Sequence, residues 1–292
     1  VQHNNTKQNM GWRKIKEIIA HTLMRITGVI LVGVLMIILL FVIIKGIGAI
    51  NWEFLSQFPR DEMTKGGIFP CIVGTFYLTI GAIILALPLG VATAIYLSEY
   101  AREGRLVRII RLGVSNLAGV PSVVFGLFGL SLFVVTFKFG VSILAGSLTL
   151  GFLILPVIIR ASEEALLSVP HSYREASLAL GATKWQTIYK IVLPNALSGI
   201  LTGSILSIGR AAGETAPIMF TAAVFMTFRM PDSILRPVMA LPYHIYVLAT
   251  AGTHIEETRP LQYGTALVLI MLVLGVNSLA IILRNRLRKR NR

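Results

Sequence analysis

Arg210 and Glu214 stand four residues apart inside an otherwise apolar run from Ala196 to Phe225, in the string Gly209-Arg210-Ala211-Ala212-Gly213-Glu214-Thr215-Ala216-Pro217. On a helix that spacing puts a guanidinium and a carboxylate on one face, within pairing reach. As one continuous helix the run would be about 45 Å long, with Arg210 near its middle. A central Arg costs about 2.5–3.5 kcal/mol on insertion into a bilayer, so it is expected to face a bundle interior or a watery path. Two chemistries fit. The pair is either a structural pin in which each charge neutralises the other, or an oxyanion receptor in which Glu214 orients the planar fork of Arg210. The use of Lys and Arg in pores that pass anions favours the receptor. Pro217 has no N–H for the carbonyl of Gly213, so the helix is expected to open beside the pair. Thr215 in the same string, and Ser122 just after the helix-breaking Pro121, are the hydroxyls expected on the path.

The surroundings of that pair follow from the rest of the chain. Of 292 residues, 55% are hydrophobic and 14% charged, and the mean hydropathy is +0.76. One soluble core cannot hide so much apolar surface, so a bilayer is the expected solvent. Runs long enough to cross about 30 Å of hydrocarbon lie near 26–50, 72–98, 113–137, 140–162, 195–225 and 263–284. This predicts an all-α polytopic membrane protein with six spans. Lys and Arg number 27 against 13 Asp and Glu, which in a soluble domain would suggest a nucleic-acid partner. Here nineteen of the cations fall in residues 1–25, 99–112, 160–190 and 284–292, and only seven in the alternate connections. The positive-inside rule accounts for that excess and places both termini in the cytoplasm, with no nucleic acid involved. The first run reads as a retained signal anchor. Residues 1–25 read as a cytoplasmic tail or a short interfacial helix, and Lys65-Gly66-Gly67 as a turn in the first outer loop.

Catalytic and metal chemistry find no support. Cys71 is the only cysteine, and His21, His171, His244 and His254 are scattered, so no metal site is expected. Neither His-Glu-x-x-His nor Gly-x-Ser-x-Gly occurs, nor the Gly-x-x-x-x-Gly-Lys-Ser/Thr loop that cradles nucleotide phosphates. An intramembrane enzyme built on Arg210 and Glu214 would need a further nucleophile or base, and Ser207, Thr215 and Thr221 have no basic partner at useful spacing.

The connection between the fourth and fifth runs carries a second pattern. It reads Glu175-Ala176-Ser177, three residues, Gly181, nine residues, then Ile191-Val192-Leu193-Pro194. Ala176, Ser177 and Ala179 are small enough to let another protein surface approach, and Gly181 permits the positive-φ turn that ends a helix. Thr183 can cap a second helix, and Pro194 suits the first turn of the span that follows. The result is a helix–turn–helix on the positive side.

This spacing resembles the EAA loop of ABC importer permeases, with Ser177 in place of the second alanine. The string Arg210-Ala211-Ala212-Gly213-Glu214-Thr215-Ala216-Pro217 is similar to that of the phosphate-specific transport permeases, the PstA type above all. Residues 66–75, 119–126 and 241–246 agree with it, although Cys71 stands where a small residue is expected. The resemblance implies a type I, MetI-like importer permease: an N-terminal tail at 1–25, a first span and outer loop at 26–71, a permease core at 72–285 and a basic cytoplasmic tail at 286–292. It implies passage of inorganic phosphate beside a PstC-type permease, with two copies of a PstB-type ATPase and an extracytoplasmic PstS-type binding protein, in the bacterial inner membrane. ATP and Mg would be bound by the ATPase, which Glu175, Ala176, Ser177 and Gly181 would engage, and this chain would carry no cofactor. A PstC-type role, or another oxyanion such as sulfate or molybdate, stays open at this point.

Overall fold

The computed structural model describes residues 2–102, 104–251 and 255–290, which leaves His254 and the last two residues of the expected basic tail outside it. The helices are α1 (Gln2–Gly46), α2 (Trp52–Ser56), α3 (Phe69–Ile95), α4 (Arg105–Ala118), α5 (Ser122–Gly129), α6 (Ile143–Leu167), α7 (His171–Ala179), α8 (Lys184–Thr187), α9 (Leu193–Gly213), α10 (Ala216–Thr221), α11 (Leu241–Thr250) and α12 (Ile255–Arg290). Three π-helical turns, Tyr96–Tyr100, Leu130–Thr136 and Ile188–Val192, extend α3 and α5 and join α8 to α9. Among the described residues five helical stretches are long and apolar enough to cross a membrane: Lys16–Ala49, Phe69–Tyr100, Ile143–Leu167, Lys184–Gly213 and Glu256–Arg286. Counted as one span, a bent pair makes a sixth.

That bent pair corrects the expected third span. Instead of one helix over 113–137, α4 begins at Arg105 and stops at Ala118, and the helix from Ser122 to Thr136 leaves it at 102°. Pro121 enforces the break, because its ring excludes helical backbone for Val120 and it offers no N–H. α4 supplies no apolar run of its own, since Arg105, Arg108 and Arg111 recur every third residue.

The centre of the molecule is α3, α6 and α9. Leu78, Ala82, Leu150, Ile154, Ile158 and Ala211 form the main buried cluster. Lipid tails compete with apolar side chains, so close backbone approach is what holds such helices together. A Cβ on Gly199 would lie 2.6 Å from Cβ of Ala165, and one on Gly203 would lie 2.2 Å from Cβ of Ala161. A second cluster, with Phe54, Ile68, Cys71, Leu241 and Val247, closes the end formed by the first outer loop and α11. In that loop β1 (Pro59–Arg60) pairs antiparallel with β2 (Lys65–Gly66). The chain therefore reverses over Asp61–Thr64, not at Lys65-Gly66-Gly67, and Gly66 instead sits in the strand at φ +87°, where a Cβ would collide with the carbonyl oxygen of Phe58.

Candidate functional site

The fifth apolar run is not one helix. α9 stops at Gly213, Glu214 is extended (φ −74°, ψ 127°), and α10 starts at Ala216 with Pro217 in its first turn. Pro217 thus opens the helix where its missing N–H requires, and the apolar residues that follow turn aside to pack on α5. Arg210 falls in the last turn of α9, where a cation also suits the negative end of the helix dipole. Its level is still central. The antiparallel contacts of Gly199 with Ala165 and Gly203 with Ala161, carried on seven residues, set Arg210 level with Ile154 in the middle of the 25-residue α6.

Nε of Arg210 lies 3.3 Å from Oε1 of Glu214, with the side chains 39% and 17% exposed. Neither terminal nitrogen of Arg210 has a hydrogen-bond acceptor among the described residues. One edge of the guanidinium is therefore held, and the other faces outward with its donors unused. Behind Glu214 lies a cavity of about 10 Å³ bordered by Thr75, Thr79, Ala211 and Pro242. Thr79 itself is buried and donates to the carbonyl of Thr75.

The other break stands beside this one. A Cβ on Gly126 of α5 would meet the carbonyl oxygen of Ala216 and Cα of Pro217, and one on Gly129 would meet Thr221. Ser122 lies half-buried at the start of α5, one helical turn ahead of Gly126. Ser122 and Thr215 make no side-chain hydrogen bond to the Arg210–Glu214 pair. What the fold brings together is thus two interrupted helices and one oriented Arg, an arrangement that lines cavities in membrane proteins.

The helix–turn–helix forms from its local signals. Gly181 has φ +84°; its N–H donates to the carbonyl of Leu178, and that of Ala182 to the carbonyl of Ser177, the paired bonds of a Schellman ending. Thr183 and Gln186 form a reciprocal capping box. Pro194 falls in the first turn of α9, as expected, although that helix is not a separate element. α8 and α9 are continuous through the π turn, in which the N–H of Leu193 reaches the carbonyl of Ile188, and Pro194 is absorbed next to it. Glu175 and Ala176 are exposed, as are Leu178, Leu180, Trp185 and Tyr189. Ser177 does not share that face: it is buried, and its Oγ lies 2.9 Å from Oγ1 of Thr187, tying the two helices of the hairpin. The residue that departs from the EAA pattern is thus a cross-hairpin link.

The sequence reading missed Glu99 and Arg174. Nε and Nη2 of Arg174 reach Oε1 of Glu99 at 3.1 and 2.6 Å, and Nη1 and Nη2 reach the carbonyls of Val169 and Leu166 at 2.7 and 2.9 Å. The side chains are 13% and 7% exposed. One guanidinium therefore joins α7, the π turn that ends α3, and the open carbonyls at the end of α6. The partners are 75 residues apart, and a single sequence holds no signal that pairs them.

Known proteins agree with this architecture. Residues 86–292 match the family model described as binding-protein-dependent transport system inner membrane component. The phosphate transport system permease protein PstA 1 of Mycobacterium tuberculosis is 38% identical over 276 residues, 93% of this chain and 90% of its own. The PstA protein of Haemophilus influenzae is 34% identical, with 93% and 95% covered. Among solved structures, a chain of the MetNI methionine ABC transporter in an inward-facing conformation superposes with a TM-score of 0.58 at 20% identity, over 76% of this chain and 94% of that one, a likeness of fold alone. The chain belongs to the binding-protein-dependent transport system inner membrane component family, and within it to the PstA-type permeases.

Proposed function

We propose that this chain forms one half of the membrane path for inorganic phosphate in an ATP-driven importer, with Arg210 meeting the passing oxyanion. The carrying observation is the outward edge of Arg210, whose donors stay free while Glu214 holds Nε at the mid-level break of two helices. A planar fork suits the paired oxygens of phosphate. The PstA names of relatives 34–38% identical along most of the chain support phosphate over sulfate or molybdate. Ser122 and Thr215, at the two helix breaks, are proposed to line the same path.

The remaining parts are supplied in trans: a PstC-type permease for the other half, two copies of a PstB-type ATPase that bind ATP and Mg, and a PstS-type phosphate-binding protein. Glu175, Ala176 and the exposed Leu178 and Leu180 would seat in the ATPase, with Gly181 and Ser177 shaping the hairpin from within. The protein would lie in the bacterial inner membrane with both termini in the cytoplasm. The test is the ATPase rate of the assembled complex in liposomes with its binding protein. Stimulation by phosphate and not by sulfate or molybdate is expected; stimulation by either of those anions alone would overturn the substrate assignment.

A further inference from the structure

We infer that α4 carries a second oxyanion site, separate from the Arg210–Glu214 pair, in a cleft that receives a phosphate group. The cleft has a volume of about 670 Å³; Arg105, Arg108, Arg111 and Ser115 form its polar lining, and Gly104, Val107 and Leu112 complete it. Its inner wall is built. Nε of Arg111 donates to Oε1 of Glu163 at 2.9 Å and Nη2 to the carbonyl of Leu97 at 3.5 Å. Arg160, from α6, donates through Nη2 to Oγ of Ser115, which in turn donates to the carbonyl of Arg111. These contacts fix two guanidinium groups before any ligand arrives. Arg105 and Arg108, on the rim, are exposed and have no partner among the described residues.

Three arginines of α4 thus line one cleft, with Arg160 bonded to its Ser115, and Glu163, 13% exposed, pairs with Arg111. An anion with several acceptor oxygens complements that set, and fork-shaped donors favour phosphate. The position adds a second argument. Val107, Ile110 and Val114 hold α4 against Ile159 and Leu155 of α6, while Leu106, Ile109, Leu112 and Leu117 stay exposed. A helix with one anchored face, one basic face and one open apolar face, bent 102° from the helix that follows, suits the membrane interface. The phosphate group is therefore supplied either by an anionic phospholipid or by free phosphate, and both present the same oxygens.

Calorimetric titration of the full-length protein in uncharged detergent tests the site, with inorganic phosphate in one arm and short-chain phosphatidylglycerol in the other, phosphatidylcholine serving as the uncharged control. Binding in at least one arm is expected, and replacing Arg105→Gln with Arg108→Gln should weaken it about tenfold or more. Arg286→Gln should leave it unchanged, which separates this cleft from basic charge in general. The responding arm identifies the source of the phosphate group. Should the double variant fold poorly, Arg108→Gln alone carries the test, since that side chain has no hydrogen-bond or ion-pair partner among the described residues. Absence of binding in both arms, or equal binding by wild type and variants, would overturn the inference.

Discussion

A guanidinium held along one edge by a carboxylate can be a closed pair or an armed one, and the two differ in what happens when both charges are removed. If Arg210 only balances Glu214, changing both to Gln leaves no unpaired charge in the membrane, and transport should return toward normal. If its outer edge meets phosphate, the double variant should assemble normally and import almost nothing. The expected outcome is the second, read as radiolabelled phosphate uptake normalised to assembled complex; near-normal uptake would reduce the pair to a structural pin. Arg210→Lys should also be impaired, because a point charge cannot reproduce two parallel donors. Gly181 makes a contrasting case. Open space surrounds it, so a side chain there meets no clash, and the cost of Gly181→Val is that of φ +84° alone. Gly181→Asn, which tolerates that backbone, should retain much more ATPase binding than Gly181→Val in a co-purification assay, and equal loss in both would remove the turn as the reason for the glycine.

Between elements, the hairpin is held to the spans by charge and to itself by hydroxyls. Breaking a buried ion pair from one side costs about 3–5 kcal/mol, because the remaining charge stays buried without compensation. Glu99→Gln is therefore expected to lower the thermal unfolding temperature of the full-length protein in detergent, more than Ser177→Ala, which removes one neutral hydrogen bond worth about 1 kcal/mol. Adding Arg174→Gln to Glu99→Gln should recover part of the loss. If Glu99→Gln were neutral, the contact of α7 with the end of α3 would be incidental. The hairpin itself was legible in the sequence because its signals are local: Gly181 at a left-handed position, Thr183 with Gln186 three residues on. The end of α9 was only half legible. Pro217 marks an opening, but the apolar residues from Ala216 onward look like more helix until α10 is seen against Gly126 and Gly129 of α5. The pairing of Glu99 with Arg174 depends wholly on how three elements dock, and no local pattern encodes it.

At the scale of the whole molecule, α6 is a ruler between the two sides of the membrane. Its 25 residues put its ends about 36 Å apart, enough to cross the hydrocarbon. At the Ile143 end, the N–H groups of Ile143 and Leu144 donate to the carbonyls of Arg236 and Ile234, so the loop bearing Asp232 is pinned there. At the Leu167 end, Arg174 holds α7, and with it the exposed Glu175. The fold thus sets Asp232 and Glu175 on opposite sides whichever way the protein inserts. Charge decides which side is which, since nineteen cations accompany Glu175 and seven accompany Asp232. Cys71 is buried, and its replacement by Ala gives a background free of cysteine in which each position can be labelled singly. In intact cells an impermeant thiol reagent should label Asp232→Cys and spare Glu175→Cys until the membrane is permeabilised. The reverse pattern would invert the topology, and labelling of both positions in intact cells would contradict the separation that α6 imposes.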